Sequence, residues 1–304
     1  RDKAMVDNSR PRAIALGYFD GVHLGHRALM DCAVKRAREI GGIASVFTFD
    51  VHPSTVMTGR PVPLLTASEY RAEEIKLLGG VDEVIFGQFE RLRTMDWRDF
   101  IHQLLVGEFG ARHIITGFNN RFGYKGLGTP EGLAGECAKI GIGYDRIDGV
   151  RVDGVTVSST YIRGLIAEGD MERAAAFLGH PYTITGHVEH GRSVGHKMGI
   201  PTVNLPLPRE MALPPYGVYA ARVRFDGQSY PAATNIGEKP TFIDGGAPTI
   251  EPHLLDFDGD LYGKRIHVEL HKFLRPERAF ASVDELKAAI ALNVQQTRDY
   301  FQNA

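Results

Sequence analysis

The first half of the chain alternates short apolar runs with longer segments of helical periodicity. The apolar runs predict four strands, at residues 13–16, 43–49, 83–86 and 113–116. One predicted helical face consists of Leu29, Ala33, Ala37 and Ile40, and a second of Trp97, Ile101, Leu104 and Leu105. Strands that alternate with helices predict an α/β domain, in which a parallel sheet carries helices on its faces.

The pattern changes after Pro181 to closely spaced β-rich runs that glycine and proline turns separate. The predicted strands are residues 182–188, 217–225, 231–236, 250–257 and 265–273. Strands without intervening helices predict an antiparallel sandwich or barrel. Only the end of the chain has a helical pattern, which begins at the capping box formed by Ser282 and Glu285.

Two short helices are predicted just before this change, at residues 161–168 and 171–178, and each is followed by a glycine. The change of texture therefore places a domain boundary near residue 181. The predicted domains are residues 1–181 and residues 182–304.

Composition narrows the class of protein. The 304 residues carry a formal net charge of −2, which gives no general electrostatic case for binding nucleic acid or an anionic membrane. The only two cysteines, Cys32 and Cys137, exclude a disulfide framework and suit a reducing cytoplasm, which is the expected location. No apolar run approaches the roughly 18–20 residues of a membrane span.

The segment after the first predicted strand carries the clearest chemical signal. Its residues 17–26 read Gly-Tyr-Phe-Asp-Gly-Val-His-Leu-Gly-His, and a helical pattern begins near Arg27. A strand, a glycine-rich loop and a helix form the usual arrangement in which an α/β fold presents a phosphate to a helix N-terminus. The predicted ATP-phosphate contacts are Gly17, Phe19, Asp20, His23, Gly25 and His26, and an ordinary turn with surface histidines is the alternative.

Three other segments of the first domain are candidates for ligand contacts. His52 and Asn119 follow the second and fourth predicted strands, where the ligand crevice of an open α/β sheet lies, although a solvated loop or a plain turn explains either residue alone. Ser159 and Thr160 stand at a predicted helix start with Arg163 one turn further on. These groups cap the helix and also suit an anion such as ATP phosphate.

In the second domain, a glycine-rich segment contains Gly191, Gly195 and Gly199. It matches neither a P-loop nor a nucleophile elbow, because both require a helix directly afterwards and these glycines and Pro201 disfavour one. A flap whose backbone amides cover ATP phosphates is the remaining functional interpretation. Thr202 lies two positions before Asn204, so on a strand the two face the same side, where their oxygens could help to hold Mg²⁺.

Glu251 is a lone carboxylate in a predicted strand. Such a group can accept a hydroxyl proton during phosphoryl transfer, and an exposed strand glutamate is the alternative.

Taken together, these segments resemble the bacterial bifunctional riboflavin kinase/FAD synthetases over nearly the whole chain. The family's Gly-x-Phe-Asp-Gly-x-His-x-Gly-His loop is matched at residues 17–26, and its Ser-Ser-Thr-x-Ile-Arg at residues 158–163. Its kinase motifs are matched at residues 199–204, 235–241 and 251–257. The resemblance implies a Rossmann-like nucleotidyltransferase domain with a parallel sheet, followed by an antiparallel β-barrel kinase domain with a C-terminal helix.

The same resemblance implies two reactions. Riboflavin is phosphorylated by ATP to FMN in the second domain, and FMN is adenylylated by ATP to FAD, with release of pyrophosphate, in the first. It makes Glu251 the implied catalytic base, Asn235 an ATP contact, and Thr202 and Asn204 contacts of the Mg²⁺-bound nucleotide. The expected ligands are ATP, riboflavin, FMN and FAD, with Mg²⁺ as cofactor; nucleic acid and membrane are not expected, and association between copies is left open.

Several positions depart from the family pattern. Val51 and Val203 replace a usual proline and alanine, His196 and Ile200 replace a usual arginine and phenylalanine, and Asn120 replaces a usual phenylalanine. Three alternatives therefore stay open: a riboflavin kinase with an impaired adenylyltransferase domain, a nucleotidyltransferase for another phosphorylated acceptor, and a non-catalytic flavin-binding regulator.

Overall fold

A computed structural model describes residues 10–189, 202–238 and 248–303. In this part the chain forms two compact units. The first consists of residues 10–62 and 68–158, and the second of residues 63–67 together with the described residues from 159 onward. The boundary near residue 181 stays a prediction. None of the helices in the described ranges combines the length and apolar character that crossing a membrane requires.

The first unit is built on a five-stranded sheet. The strands of this sheet are β1 (Arg12–Leu16), β2 (Ile43–Phe49), β3 (Glu83–Gly87), β4 (Ala111–Gly117) and β5 (Gly143–Ile147). A small separate hairpin consists of β6 (Arg151–Val152) and β7 (Val155–Thr156). The strand order is β3-β2-β1-β4-β5, and every neighbouring pair is parallel. The predicted parallel α/β fold is confirmed.

The helices of this unit join successive strands. They are α1 (Leu24–Glu39), α2 (Pro53–Thr58), α3 (Arg71–Gly79), α4 (Phe89–Leu92), α5 (Trp97–Asp99) and α6 (Pro130–Ile140), with a π-helical segment at Phe100–Glu108 and a 3₁₀ turn at Tyr124–Gly126. The strand order reverses between β1 and β4, so the crevice beyond their carboxyl ends is the place where open sheets of this kind bind ligands.

Both faces of the sheet are covered by apolar side chains. On one face Ile14 packs in a cluster with Phe100 of the π-helical segment and Leu133 of α6. On the other face Ala15 packs in a cluster with Met30 of α1. Phe100 is 2% exposed, and the other four residues have no exposed surface. Burial on both faces explains why the central strands read as continuous apolar runs in the sequence.

A polar cluster fastens α1 to the far edge of the sheet. The carboxylate of Asp145 on β5 accepts hydrogen bonds from Arg36 of α1, at 2.6 Å from Nε and 3.0 Å from Nη2. The same carboxylate lies 2.7 Å from Nε2 of His113 on β4. The hydrogen bond from Arg36 lowers the pKa of Asp145 to about 2. Burial raises the pKa of the neighbouring Cys32 thiol to about 11, so this cysteine stays protonated at neutral pH.

Asp145→Asn is expected to lower the free energy of unfolding by about 1.5–3 kcal/mol, because charge-assisted hydrogen bonds from Arg36 are lost. A lowered native pKa stabilises the fold above the unfolded pKa of about 3.9, and this contribution disappears as the pH falls toward 2. The deficit of the variant should therefore shrink between about pH 4 and pH 2, as measured by urea unfolding at several pH values.

Asp148→Asn is the matched control, because the side chain of Asp148 is 89% exposed and its nearest cation, Arg146, is 3.9 Å away. A pH-independent deficit in Asp145→Asn, or an equal deficit in the control, would contradict this role for Asp145.

The second unit is an antiparallel sheet that curls on itself. Its strands are β8 (Tyr182–His187), β9 (Leu205–Pro206), β10 (Gly217–Phe225), β11 (Gln228–Glu238), β12 (Pro248–Leu254) and β13 (Arg265–Pro276), and its helices are α7 (Ser159–Glu168), α8 (Met171–Leu178) and α9 (Val283–Gln302). The strand order is β8-β13-β10-β11-β12-β9. A bridge between Glu189 and Asn204 brings the two ends of this order together, so the predicted barrel is confirmed as near-closed.

The C-terminal helix begins at the predicted capping box. Ser282 Oγ accepts a hydrogen bond from the backbone N–H of Glu285 at 3.1 Å, and the Glu285 carboxylate accepts one from the backbone N–H of Ala281 at 3.0 Å. Several predicted elements differ in extent from those observed; β11 and β13, for example, are longer than the strands predicted at residues 231–236 and 265–273. The strand predicted over residues 250–257 ends at Leu254, where a turn follows with Asp256 at a φ of 59°. The helix predicted from residue 161 begins two residues earlier, at Ser159.

Candidate functional sites

The loop of residues 17–26 is a strained and buried connection between β1 and α1. Phe19 has a φ of 61° and Val22 a φ of 38°, a backbone region that a β-branched residue rarely adopts. Both side chains are fully buried, and this burial holds the backbone in its costly conformation. A side chain on Gly17 would lie 3.0 Å from the Phe19 ring. The loop is therefore held in one shape before any ligand arrives.

Two histidine rings stack at the start of α1. The ring centroids of His23 and His26 lie 3.5 Å apart with an angle of 13° between the planes. His23 is the N-cap residue, and its Nδ1 accepts a hydrogen bond from the backbone N–H of His26 at 3.2 Å. An accepting Nδ1 leaves the hydrogen of the neutral ring on Nε2, which makes Nε2 a donor.

This cap also explains a difference from the sequence-based prediction. The helix was expected near Arg27 but begins at Leu24. Histidine is not among the usual capping residues, so the true start carries no familiar signal. The imidazoles consequently stand at the helix N-terminus itself, where the helix dipole favours an anion.

A second histidine cap lies beyond the carboxyl end of β2. His52 caps α2, and its Nδ1 accepts from the backbone N–H of Ser54 at 3.2 Å. Its ring meets the Tyr18 ring edge-on, with centroids 4.5 Å apart. Gly17, Tyr18, His52 and Asn119 all line one cavity of about 450 Å³. The structure thus brings together the predicted contacts from the ends of β1, β2 and β4.

A larger cavity of about 890 Å³ adjoins the first and shares Phe49, Pro53, Phe100, Arg121 and Phe122 with it. Its lining is mainly apolar and aromatic, with cations at Arg93, Arg121 and Lys125. A polar cavity that joins a wide apolar one suits a ligand with a flat apolar part and an anionic part.

Ser159, Thr160 and Arg163 are on the first turns of α7, as their pattern predicts. This helix belongs to the second compact unit. Ser159 and Arg163 are half-buried and Thr160 is exposed. Their contact with ATP phosphate stays a prediction.

In the second unit, the carboxylate of Glu251 stands at a point where neighbouring strands bring polar groups together. Asn235 on β11 pairs with Glu251 on β12. On the other side, β9 pairs with β12, and the Val203 backbone N–H continues this pairing with a hydrogen bond of 3.1 Å to the Pro252 carbonyl. The register places Asn204 opposite Glu251, so three predicted site residues lie side by side.

A cavity of about 300 Å³ opens beside these strands. Its lining includes Asn235, Glu251 and His253 from the strands and Thr202 from the segment before β9. Charged residues from the end of β13 and the segment after it, and Asn293 from α9, also line it. Arg275 donates from Nε to Asn293 Oδ1 at 3.1 Å, and burial together with nearby Arg278 lowers the pKa of Arg275. The cavity lining therefore combines the carboxylate of Glu251 with the charged side chains of Arg275, Glu277 and Arg278.

The side-chain amide of Asn204 is buried and offers an oxygen and a nitrogen that can bind a ligand. Its side chain is 5% exposed, and neither Oδ1 nor Nδ2 finds a hydrogen-bond partner in the described part of the chain. A buried amide without partners is costly, so a bound group is the natural partner. No cluster of three or more His, Cys, Asp or Glu residues suited to a metal occurs in the described ranges. Amide, hydroxyl and phosphate oxygens are ligands that a hard cation accepts.

Three predicted contacts lie in a segment outside the described residues, and one residue that lines a cavity was not predicted. Gly191, Gly195 and Gly199 fall outside the described residues, so the predicted flap stays a prediction. Tyr18, which lines the smaller cavity, was not predicted as a site residue, although it lies within the glycine-histidine loop.

Comparison with known families gives a match for each unit. The family model described as FAD synthetase matches residues 5–161, and the model described as Flavokinase: Riboflavin kinase matches residues 178–301. An α/β nucleotide-binding unit followed by a β-barrel kinase unit defines a two-domain transferase.

Curated relatives match both domains together. The chain is 37% identical to the bifunctional riboflavin kinase/FMN adenylyltransferase of Pseudomonas fluorescens, over 96% of this chain and 95% of that one. It is 36% identical to the enzyme of the same name from Bacillus subtilis, over 95% of this chain and 92% of that one. The chain therefore belongs to the bifunctional riboflavin kinase/FMN adenylyltransferase family.

A solved structure has the same fold across both units. It is the crystal structure of a protein from Streptococcus pneumoniae described as a macrolide-efflux protein, with a TM-score of 0.83 and 29% identity. The match covers 95% of this chain and 94% of that chain. The likeness extends over nearly the full length of both proteins.

Proposed function

We propose that the second unit transfers the γ-phosphoryl group of ATP to the ribityl 5′-hydroxyl of riboflavin, and that Glu251 is the catalytic base. The observation that carries this proposal is the register that sets Asn204 and Asn235 on either side of Glu251, with Asn235 and Glu251 lining a cavity. A neutral alcohol must lose a proton to become a phosphate ester, and a carboxylate at the cavity wall can take it. The new oxygen–phosphorus bond forms as the bond to the ADP oxygen breaks.

Thr202 and Asn204 would hold Mg²⁺ in this unit. The buried amide oxygen of Asn204 has no partner in the described ranges, and amide and hydroxyl oxygens are hard ligands of the type Mg²⁺ accepts. Mg²⁺ usually keeps few protein ligands and several waters or phosphate oxygens, which fits a site of two neutral side chains. When bound, it offsets negative charge on the phosphates.

Asn204→Ala is expected to raise the Mg²⁺ concentration that gives half-maximal FMN formation by about 10–100-fold, a cost typical of disturbing a metal site. Titration of FMN formation with Mg²⁺ at saturating ATP measures it. Asn303→Ala is the matched control, because Asn303 is an exposed asparagine after α9 in the same unit. An unchanged Mg²⁺ requirement in Asn204→Ala would remove Asn204 from the metal site.

We infer that the first unit adenylylates FMN. The phosphate of FMN attacks the α-phosphorus of ATP, one phosphorus–oxygen bond forms, and the bond to pyrophosphate breaks. This nucleophile is already an anion, so the site needs no base but needs donors and positive charge for the reacting phosphates. Nε2 of His23, the His26 ring and the N-terminus of α1 offer them together.

The two adjoining cavities support FMN as the acceptor. The apolar cavity lined by Phe49, Phe89, Phe122, Tyr124 and Leu127 suits the flat flavin ring. The smaller cavity at Gly17, His52 and Asn119 leads back to the loop that begins at Gly17. In this arrangement the FMN phosphate would face the glycine-histidine loop.

The direct test uses the full chain with riboflavin, ATP and Mg²⁺, and separates riboflavin, FMN and FAD by chromatography over time. FMN is expected first and FAD afterwards. Absence of any conversion would contradict both assignments. FMN without FAD, also when FMN is supplied, would contradict the second reaction and leave a kinase whose first unit is inactive.

A further inference from the structure

Arg71 is a buried cation behind the wall of the smaller cavity. It is the first residue of α3, and its side chain is 1% exposed. Its guanidinium carbon lies 3.9 Å from the centroid of the Tyr18 ring and 5.5 Å from that of the Phe86 ring. Its Nη2 donates a hydrogen bond to the carbonyl of Phe49. The side chain thus contacts Phe49, the last residue of β2, and Tyr18, the second residue after β1.

The other two nitrogens of this guanidinium have no hydrogen-bond partner among the described residues. Nε and Nη1 are buried without a hydrogen-bond partner, and no carboxylate in the described part of the chain pairs with Arg71. A buried charge without a counter-ion is destabilising. An apolar side chain of the same size would fill this space without the cost of a buried charge. The charge of Arg71 therefore needs a functional explanation.

The position of Arg71 supplies that explanation. Tyr18, which the guanidinium stacks against, lines the cavity together with Phe49 and His52. The Tyr18 ring also supports the His52 ring at 4.5 Å, and the Tyr18 carbonyl accepts a hydrogen bond of 2.9 Å from Thr48. Arg71 therefore contacts Tyr18 directly and His52 through Tyr18, and these two residues line the cavity beyond the ends of β1 and β2.

We propose that Arg71 is a positioning residue for the adenylylation of FMN. Its planar guanidinium holds Tyr18, and through Tyr18 His52, in the geometry that the acceptor meets. Its uncompensated positive charge lies in a region of low dielectric behind the cavity, where it favours the approach of two anionic reactants. The proposal rests on the adenylyltransferase function proposed for the first unit.

Arg71→Met keeps the apolar volume and removes the charge and the planar stack. We expect kcat for FAD formation from supplied FMN to fall by about 10–100-fold, as displaced site groups do. Arg71→Lys restores the charge without the planar fork and should recover part of that loss. FMN formation by the second unit should be unchanged in both variants and gives an internal measure of intact protein in the same tube.

Arg112→Met is the matched control for charge. Arg112 is an exposed arginine near the amino end of β4, the end of the sheet opposite to the cavity. This variant has the same net charge as Arg71→Met and should form FAD at the wild-type rate. Thermal unfolding of each variant separates a positioning role from a loss of fold.

A double-mutant cycle tests the route through Tyr18. If Arg71 acts through Tyr18, the variant carrying both Tyr18→Ala and Arg71→Met should be little slower than the slower single variant. Multiplying losses would overturn this route.

Three further outcomes would overturn the proposal. These are wild-type kcat in Arg71→Met, an equal loss in the Arg112→Met control, and a failure of both Arg71 variants to fold that accounts for their lost activity. Absence of FAD formation from the wild-type chain would overturn the proposed function as well, whereas wild-type kcat in Arg71→Met beside an active wild-type chain overturns the role of Arg71 alone.

Discussion

Glu251→Gln is expected to abolish FMN formation while FAD formation from supplied FMN continues at the wild-type rate. Glutamine has the shape of glutamate and can keep the 3.5 Å contact with Thr249 Oγ1, but it cannot take a proton from the riboflavin hydroxyl. Loss of a general base costs about 10²–10⁴ in rate. Because the change acts on the chemical step, kcat should fall much more than the KM for riboflavin changes.

The decisive observation for Glu251→Gln is that FMN formation is lost while FAD formation is retained. Steady-state rates of FMN and FAD formation are measured on the same preparation, and Asp258→Asn, an exposed carboxylate in the turn after the strand of Glu251, is the matched control. An equal loss of both activities in Glu251→Gln would show that the residue supports the fold or a shared step. Unimpaired FMN formation would remove Glu251 from the role of base.

His26→Ala should have the reverse effect, with loss of FAD formation and retention of FMN formation. The His26 ring lies against the His23 ring, 3.5 Å between centroids, at the N-terminus of α1. Removing one preorganised donor of this kind costs about 10²–10³ in kcat. The alanine keeps its backbone N–H, so the hydrogen bond to Nδ1 of His23 and the helix cap can survive the substitution.

His102→Ala is the matched control for this variant. The side chain of His102 is 39% exposed in the first unit, where it meets Glu136 at 3.1 Å. Glu136 is buried but keeps its contacts with Lys139 at 2.8 Å and Arg98 at 3.6 Å in this variant, so the control should retain both activities. FAD formation at the wild-type rate in His26→Ala would mean that the glycine-histidine loop is not the adenylyl site.

Local pattern was sufficient for most regular elements. The strand predicted at residues 217–225 and the helix predicted at 171–178 have the bounds that the structure shows for β10 and α8. Both are defined by hydrophobic period and by adjacent turn residues, which are properties of the nearby sequence. The family and its two activities also followed from motifs, because each motif is a short contiguous segment.

Elements whose limits depend on unusual groups were predicted less well. Because His23 caps α1, this helix begins earlier than predicted, and no sequence signal predicted that His52 caps α2. The helix marked by residues 97–105 is a short α-helix that continues as a π-helical segment, Phe100–Glu108. Its apolar side chains pack on the sheet as the pattern requires, but the period of the backbone depends on that packing.

The sequence by itself determined the order of the elements, the two kinds of sheet and the chemical types at each site, because these depend on local period and on short motifs. Only the tertiary structure decided which groups meet. Strand register places Asn204 and Asn235 on either side of Glu251, and the packing of α3 puts Arg71 behind Tyr18. Pairing and packing join residues distant along the chain, so no local pattern encodes them.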